Sequence, residues 1–80
     1  MAVPTVMLSG PYRLIFFSSD WSEPPHVHVF RDAAQAKFWL DPVHLDGSRG
    51  FRAIELRRIE RLVENNRDEM LRAWNEYFSS

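Results

Sequence analysis

Residues 23–29 read E-P-P-H-V-H-V, which sets two of the chain's three histidines one residue apart among strand formers. Side chains alternate along a strand, so His26 and His28 project from one face, with Cα atoms about 6.5–7 Å apart. An H-x-H pair of this kind supplies two ligands to a divalent metal, with Glu23, Asp41 or His44 as the candidate third. The same pair can work as acid and base in phosphodiester cleavage, because histidine titrates near neutrality. Arg31 or Lys37 would then hold the phosphate. His26, His28, Arg31 and Lys37 are therefore the catalytic candidates, and none is assigned. Solvated imidazoles behind an ordinary Pro-Pro boundary are the plainer alternative. A binding role weighs more than catalysis.

Lys37 and Trp39 fall on one face of a strand in A-K-F-W-L, together with Asp41. A simple hairpin register brings that face beside His26 and His28, giving a Lys37–Trp39–His26–His28 interaction surface, since tryptophan anchors interfaces. The alternative packs Trp39 inside. Val27 and Val29 point toward the core, so the imidazoles are expected on the open face or at its edge.

The elements that position these residues follow from periodicity and punctuation. Thr5–Ser9 and Tyr12–Ser18 read as a hairpin about Gly10-Pro11. In the second run Leu14 and Phe16 share one face and Arg13, Ile15 and Phe17 the other, which marks a central strand. Ser19–Pro25 is a loop, because Pro24-Pro25 cannot lie inside a central strand. His26–Arg31 and Ala36–Leu40 are the next strands, with a turn at Asp32-Ala33 and a stop at Asp41-Pro42. Val43–Leu45 is at most a short extension before a D-G-S-R-G turn at residues 46–50.

From Ala53 the period changes to that of a helix. Ile54, Leu56, Ile59, Leu62 and Val63 form the apolar stripe. Glu55–Arg58, Glu60–Arg61 and Glu64–Arg67 suit a solvated face, each pair contributing a few tenths of a kcal/mol. Arg52, Arg57, Arg58 and Arg61 could instead form a basic stripe for DNA or RNA, which the interleaved glutamates argue against. Asn66 with Glu69 has the spacing of a capping box. A second helix would then bury Met70, Leu71, Trp74, Tyr77 and Phe78, and one kinked helix is the competing reading. The expected fold is α+β: a small antiparallel sheet of three to four strands, then one long kinked or two C-terminal helices packed on one face. A single domain is expected over 1–80, strand-rich over 4–45 and helical over 52–78.

Composition narrows the function classes. Eighty residues, 45% apolar, make one small globular domain. The absence of cysteine removes disulfides, thiolate zinc sites and a cysteine nucleophile, and it fits a reducing cytoplasm. No basic start leads into a long apolar run, and no stretch approaches the roughly 20 apolar residues of a membrane helix. A soluble, cytoplasmic protein without a membrane partner is expected. A net charge of −1 does not indicate generic nucleic-acid binding. No cofactor is expected beyond an optional divalent metal, and an oligomer is left open.

Three stretches carry a resemblance: E-P-P-H-V-H-V, then A-K-F-W-L-D-P-V, then the segment from G-F-R-A-I-E-L to W-N-E-Y-F. With them the chain resembles a small bacterial family catalogued as a domain of unknown function, number 4160, from Pro4-Thr5 to Phe78. The matching positions are Glu23, Pro24, Pro25, His26, His28, Ala36, Lys37, Trp39 and Pro42, with Trp74 and Tyr77 in the last helix. Asp32-Ala33-Ala34 departs from the pattern, since many relatives have glycine at that turn.

The resemblance implies no established reaction and therefore no catalytic residues. It implies a gene pair: such proteins are typically encoded beside another small protein, in modules like those of toxins and antitoxins. The expected partner is that small neighbour, met through protein–protein contact. A small nuclease or metal-dependent hydrolase at His26 and His28 is the alternative. A DNA-binding autoregulator is the third, since some members are loosely labelled transcriptional regulators.

Overall fold

A computed structural model describes residues 5–79. The ends of the expected 1–80 domain, including the strand-rich start at residue 4, lie outside the described residues. Five strands, β1 (Thr5–Ser9), β2 (Tyr12–Ile15), β3 (His26–Arg31), β4 (Ala34–Leu40) and β5 (Val43–Arg49), precede α1 (Ala53–Asn65) and α2 (Arg67–Phe78). They form one antiparallel sheet in the order β1-β2-β3-β4-β5, so the expected three to four strands become five. The added strand is β5. Its D-G-S-R-G segment continues the ladder, with a register shift between Lys37 and Phe38 that leaves Asp46 as the extra residue. An exposed edge strand needs only backbone pairing on one side, which is why polar residues suffice there.

The β3–β4 turn explains the departure at residues 32–34. Asp32 takes φ 54°, a left-handed conformation that aspartate tolerates better than most residues. Ala33 does not share the positive φ, which excludes a type I′ turn. Gly50 at φ 88° then turns the chain from β5 toward α1.

The helices cover one face of the sheet. β4 shows the alternation plainly: Ala34, Ala36, Phe38 and Leu40 are buried while the residues between them are half-buried. Leu14, Phe16, Val27, Val29, Ala36, Phe38 and Leu40 pack against Ile59, Val63, Met70 and Trp74 in one core. Phe16 meets Trp74 edge-on, with centroids 5.1 Å apart.

The chain breaks into two helices at Asn66, whose φ −116° and ψ 15° leave the helical region. The break is not made by the expected capping box. The Asn66 side chain instead donates backward from Nδ2 to the Leu62 carbonyl at 2.8 Å, closing the end of α1. Arg67 ties the start of α2 to the sheet, donating from Nε to the Leu40 carbonyl and pairing with Asp41.

Two expected features of α1 are corrected. Ile54 is 63% exposed and stands outside the core stripe. Glu55 turns inward, where it accepts two bonds from Arg31 at 2.7 and 2.8 Å and one from the Tyr12 hydroxyl. A bidentate guanidinium on the sheet outcompetes an Arg58 one turn along the same helix. Among the described residues, no helix is long and apolar enough to cross a membrane.

Candidate functional site

The sheet face away from the helices carries the histidine pair. Register places His26 opposite Trp39 and His28 opposite Lys37, so those four side chains share one face. The histidines are nevertheless not on an open surface. His26 is fully buried, and the His28 side chain is 19% exposed. The cover is the loop after β2, whose Ser18–Ser22 segment winds into a 3₁₀ turn, joined at His26 by Trp74 of α2. Alternation says which face a strand residue takes, but not what folds over that face.

Asp20 organises this cover. Its Oδ2 accepts the Phe17 backbone N–H at 2.9 Å, and its own N–H returns to the Phe17 carbonyl. This reciprocal pair closes the turn. The same Oδ2 accepts from His28 Nε2 at 3.1 Å. Phe17 lies edge-on to the His28 ring at 4.6 Å, sealing that side.

His26 Nδ1 lies 2.9 Å from the Pro24 carbonyl oxygen. A carbonyl only accepts, so Nδ1 carries the proton and the neutral ring keeps its lone pair on Nε2. That Nε2 also stands 3.1 Å from Asp20 Oδ2, yet it has no aligned hydrogen-bond partner. The distance alone would suggest an ion pair. The misalignment and the tautomer favour reading it as an acceptor facing an acceptor. The rings of His28, Trp74 and Trp39 enclose His26 at 5.0, 5.2 and 5.5 Å between centroids.

Burial pushes the His28 pKa below its ordinary value, against the Asp20 carboxylate, which pulls it up. The buried imidazole is therefore poised toward its neutral form, able to act as a base or as a ligand.

The other candidates separate. Lys37 donates to Glu23 Oε1 at 2.6 Å and lies 4.6 Å from the Trp39 ring centroid. Trp39 donates from Nε1 to Asp46. Glu23 is 3.6 Å from His26, but on the Nδ1 side that the Pro24 carbonyl occupies. His44 lies beside Trp39, with rings 6.3 Å apart. Asp41 is engaged by Arg67. Arg31 leaves the opposite face of β3 for Glu55, so it does not join the histidines. Odd and even positions of one strand cannot meet on one face.

Asp20 escaped the sequence reading, and it is the residue that completes the cluster. Among the described residues, Asp20, His26 and His28 form the one group of potential ligands within 4.8 Å of one another. The available signal was an Asp inside S-S-D-W-S, a composition suited to a capped turn, just before the histidine strand. Beside the cluster runs a groove of about 280 Å³, lined by His28, Gln35, Lys37, Gly47, Ser48 and Arg49.

No curated protein and no solved structure shows significant similarity to the chain. A family model described as a domain of unknown function (DUF4160) matches residues 12–75. That span holds β2 through most of α2, including E-P-P-H-V-H-V, the loop that covers it and A-K-F-W-L. The chain belongs to this family of unknown function.

Proposed function

We propose that this chain is one component of a bacterial, cytoplasmic two-protein module of the toxin–antitoxin kind, acting through the small protein encoded beside it. The part of this sheet face that the loop leaves open carries this reading. The helices pack on the other face, leaving Lys37, Trp39 and His44 half-buried or exposed beside the loop that bears an exposed Trp21. Tryptophan held by cation and carboxylate neighbours suits a recognition surface better than a solvated one. Co-expression with the neighbouring gene product and size-exclusion chromatography test it. Co-elution at micromolar concentration, lost in Trp39→Ala, is expected, and separate elution of the unmodified pair sinks the reading.

The carboxylate 3.1 Å from both imidazoles favours a second reading, a small hydrolase acting on phosphodiesters at Asp20, His26 and His28. Expression of the chain alone should then slow growth, and His26→Ala/His28→Ala should relieve it. Equal growth with either chain removes this reading.

A further inference from the structure

We infer that Asp20, His26 and His28 bind one divalent transition-metal ion, with zinc the best chemical fit. This goes beyond partner docking and holds whether or not the site turns over a substrate.

Geometry is the first support. Bonds of about 2.0–2.2 Å from zinc to imidazole nitrogen or carboxylate oxygen place neighbouring ligand atoms of a tetrahedron about 3.3–3.6 Å apart. Asp20 Oδ2 stands 3.1 Å from His26 Nε2 and 3.1 Å from His28 Nε2. All three atoms lie within 4.8 Å of one another. Modest side-chain rotation brings them around a common centre, with the ion taking the place of the proton His28 Nε2 gives to Asp20, which moves to Nδ1 of the same ring.

The state of His26 is the second, independent support. The Nδ1–H bond to the Pro24 carbonyl fixes the tautomer and orients the ring, as the outer partner of a metal-bound histidine does. The freed Nε2 lone pair is fully buried, lacks a hydrogen-bond partner and stands 3.1 Å from a carboxylate oxygen. Two acceptors 3.1 Å apart in a buried place leave a cost that a cation bound to both removes. A proton is the rival cation. It would need an Nε2–H···O alignment that the ring does not have.

Ligand chemistry selects the ion. Two imidazoles and one carboxylate suit zinc and its first-row neighbours, whereas magnesium and calcium take mostly oxygen. Three protein ligands also leave a position for water or an exogenous group. The ligands come from one strand and the hydrogen-bonded loop packed on it.

The test uses the full chain prepared without a histidine tag, stripped with EDTA and titrated with zinc chloride. Calorimetry should show one equivalent bound with a Kd of about 1 µM or tighter. At a hundredfold excess over Kd, Tm should rise by about 10 °C or more. Asp20→Asn and His28→Gln should each weaken binding at least tenfold, while His44→Gln and Asp41→Asn keep it. Nitrogen-15 spectra of the unmodified protein give a readout that no folding defect can confuse. Zinc should shift the Nε2 resonances of both His26 and His28 in step with one equivalent. Absence of saturable binding at about 100 µM zinc overturns the proposal. So does affinity unchanged in Asp20→Asn and His28→Gln, or an Nε2 proton on His26 that persists with zinc present. The isolated chain is titrated, so failure here leaves partner docking untouched, and failed docking leaves the isotherm untouched.

Discussion

Replacing Asp20 with asparagine keeps the side chain's shape and removes its charge, which isolates what the carboxylate does for the covering loop. Oδ2 accepts two bonds, from the Phe17 N–H at 2.9 Å and His28 Nε2 at 3.1 Å, with the Asp20 side chain only 12% exposed. A hydrogen bond to a charged group contributes about 1.5–3 kcal/mol and a neutral one about 0.5–1.5 kcal/mol. The substitution should therefore cost roughly 1 kcal/mol per bond, about 2 kcal/mol in all. Asp20→Ala, which loses both bonds outright, should cost about 3–4 kcal/mol. Domains of this size have about 4–12 kcal/mol in total. The asparagine variant should stay folded, with a Tm lower by about 8–16 °C. Thermal melts by circular dichroism in EDTA measure this. Asp68→Asn, at an 81% exposed side chain paired only with Arg67, serves as a control that should barely move. A second readout follows from sign. Asp20 raises the His28 pKa, so Asp20→Asn should lower it further. A Tm within about 2 °C of the unmodified protein, with an unmoved His28 titration, would refute the role assigned to Asp20.

Two further outcomes follow from the fold. Gly50→Ala should cost at least about 1–2 kcal/mol, since φ is 88° and an added Cβ would meet Ala34 Cα and Cβ at 3.1 Å; an unchanged urea midpoint would contradict this. Glu55 has its pKa held below the usual 4.5, first by the Arg31 bonds and then by the Tyr12 hydroxyl. A depressed carboxylate stabilises the fold above its unfolded pKa and loses that contribution as pH falls through the folded value. Glu55→Gln should thus lower stability at pH 7 and flatten its decline below about pH 5, read from urea midpoints across pH; parallel curves would remove the Glu55 linkage.

Much of the sheet was legible because proline and alternation mark it. Pro24-Pro25 and Asp41-Pro42 bracket the central hairpin, and the alternation of Ala36, Phe38 and Leu40 matches the burial. β5 was not legible, because an edge strand with a bulge at Asp46 needs no apolar period and D-G resembles a turn. The shared face of His26, His28, Lys37 and Trp39 follows from the period of two, as does the separation of Arg31. The burial of His26 and the part of Asp20 do not, since the first depends on how a 3₁₀ loop and Trp74 of α2 close over the ring and the second on the loop alone. In the helices, the break at Asn66 was visible while its cause was not. Asn66 bonds backward to Leu62, where the sequence suggested a forward cap.

The order of elements along the chain also sets a schedule for folding. Every strand pairs with its neighbours in sequence, so the sheet assembles from successive local hairpins, each forming in about 1–10 µs. Translation at about 5–20 residues per second puts roughly 1–5 s between Arg49, which ends the sheet, and Trp74. During that interval Leu14, Phe16, Val27, Val29, Phe38 and Leu40 can be aligned on a finished sheet with nothing yet to cover them. On the ribosome, the hazard for this chain is therefore the delay before α1 and α2 emerge. Slower synthesis across residues 50–74 should raise aggregation even though strand pairing itself is fast.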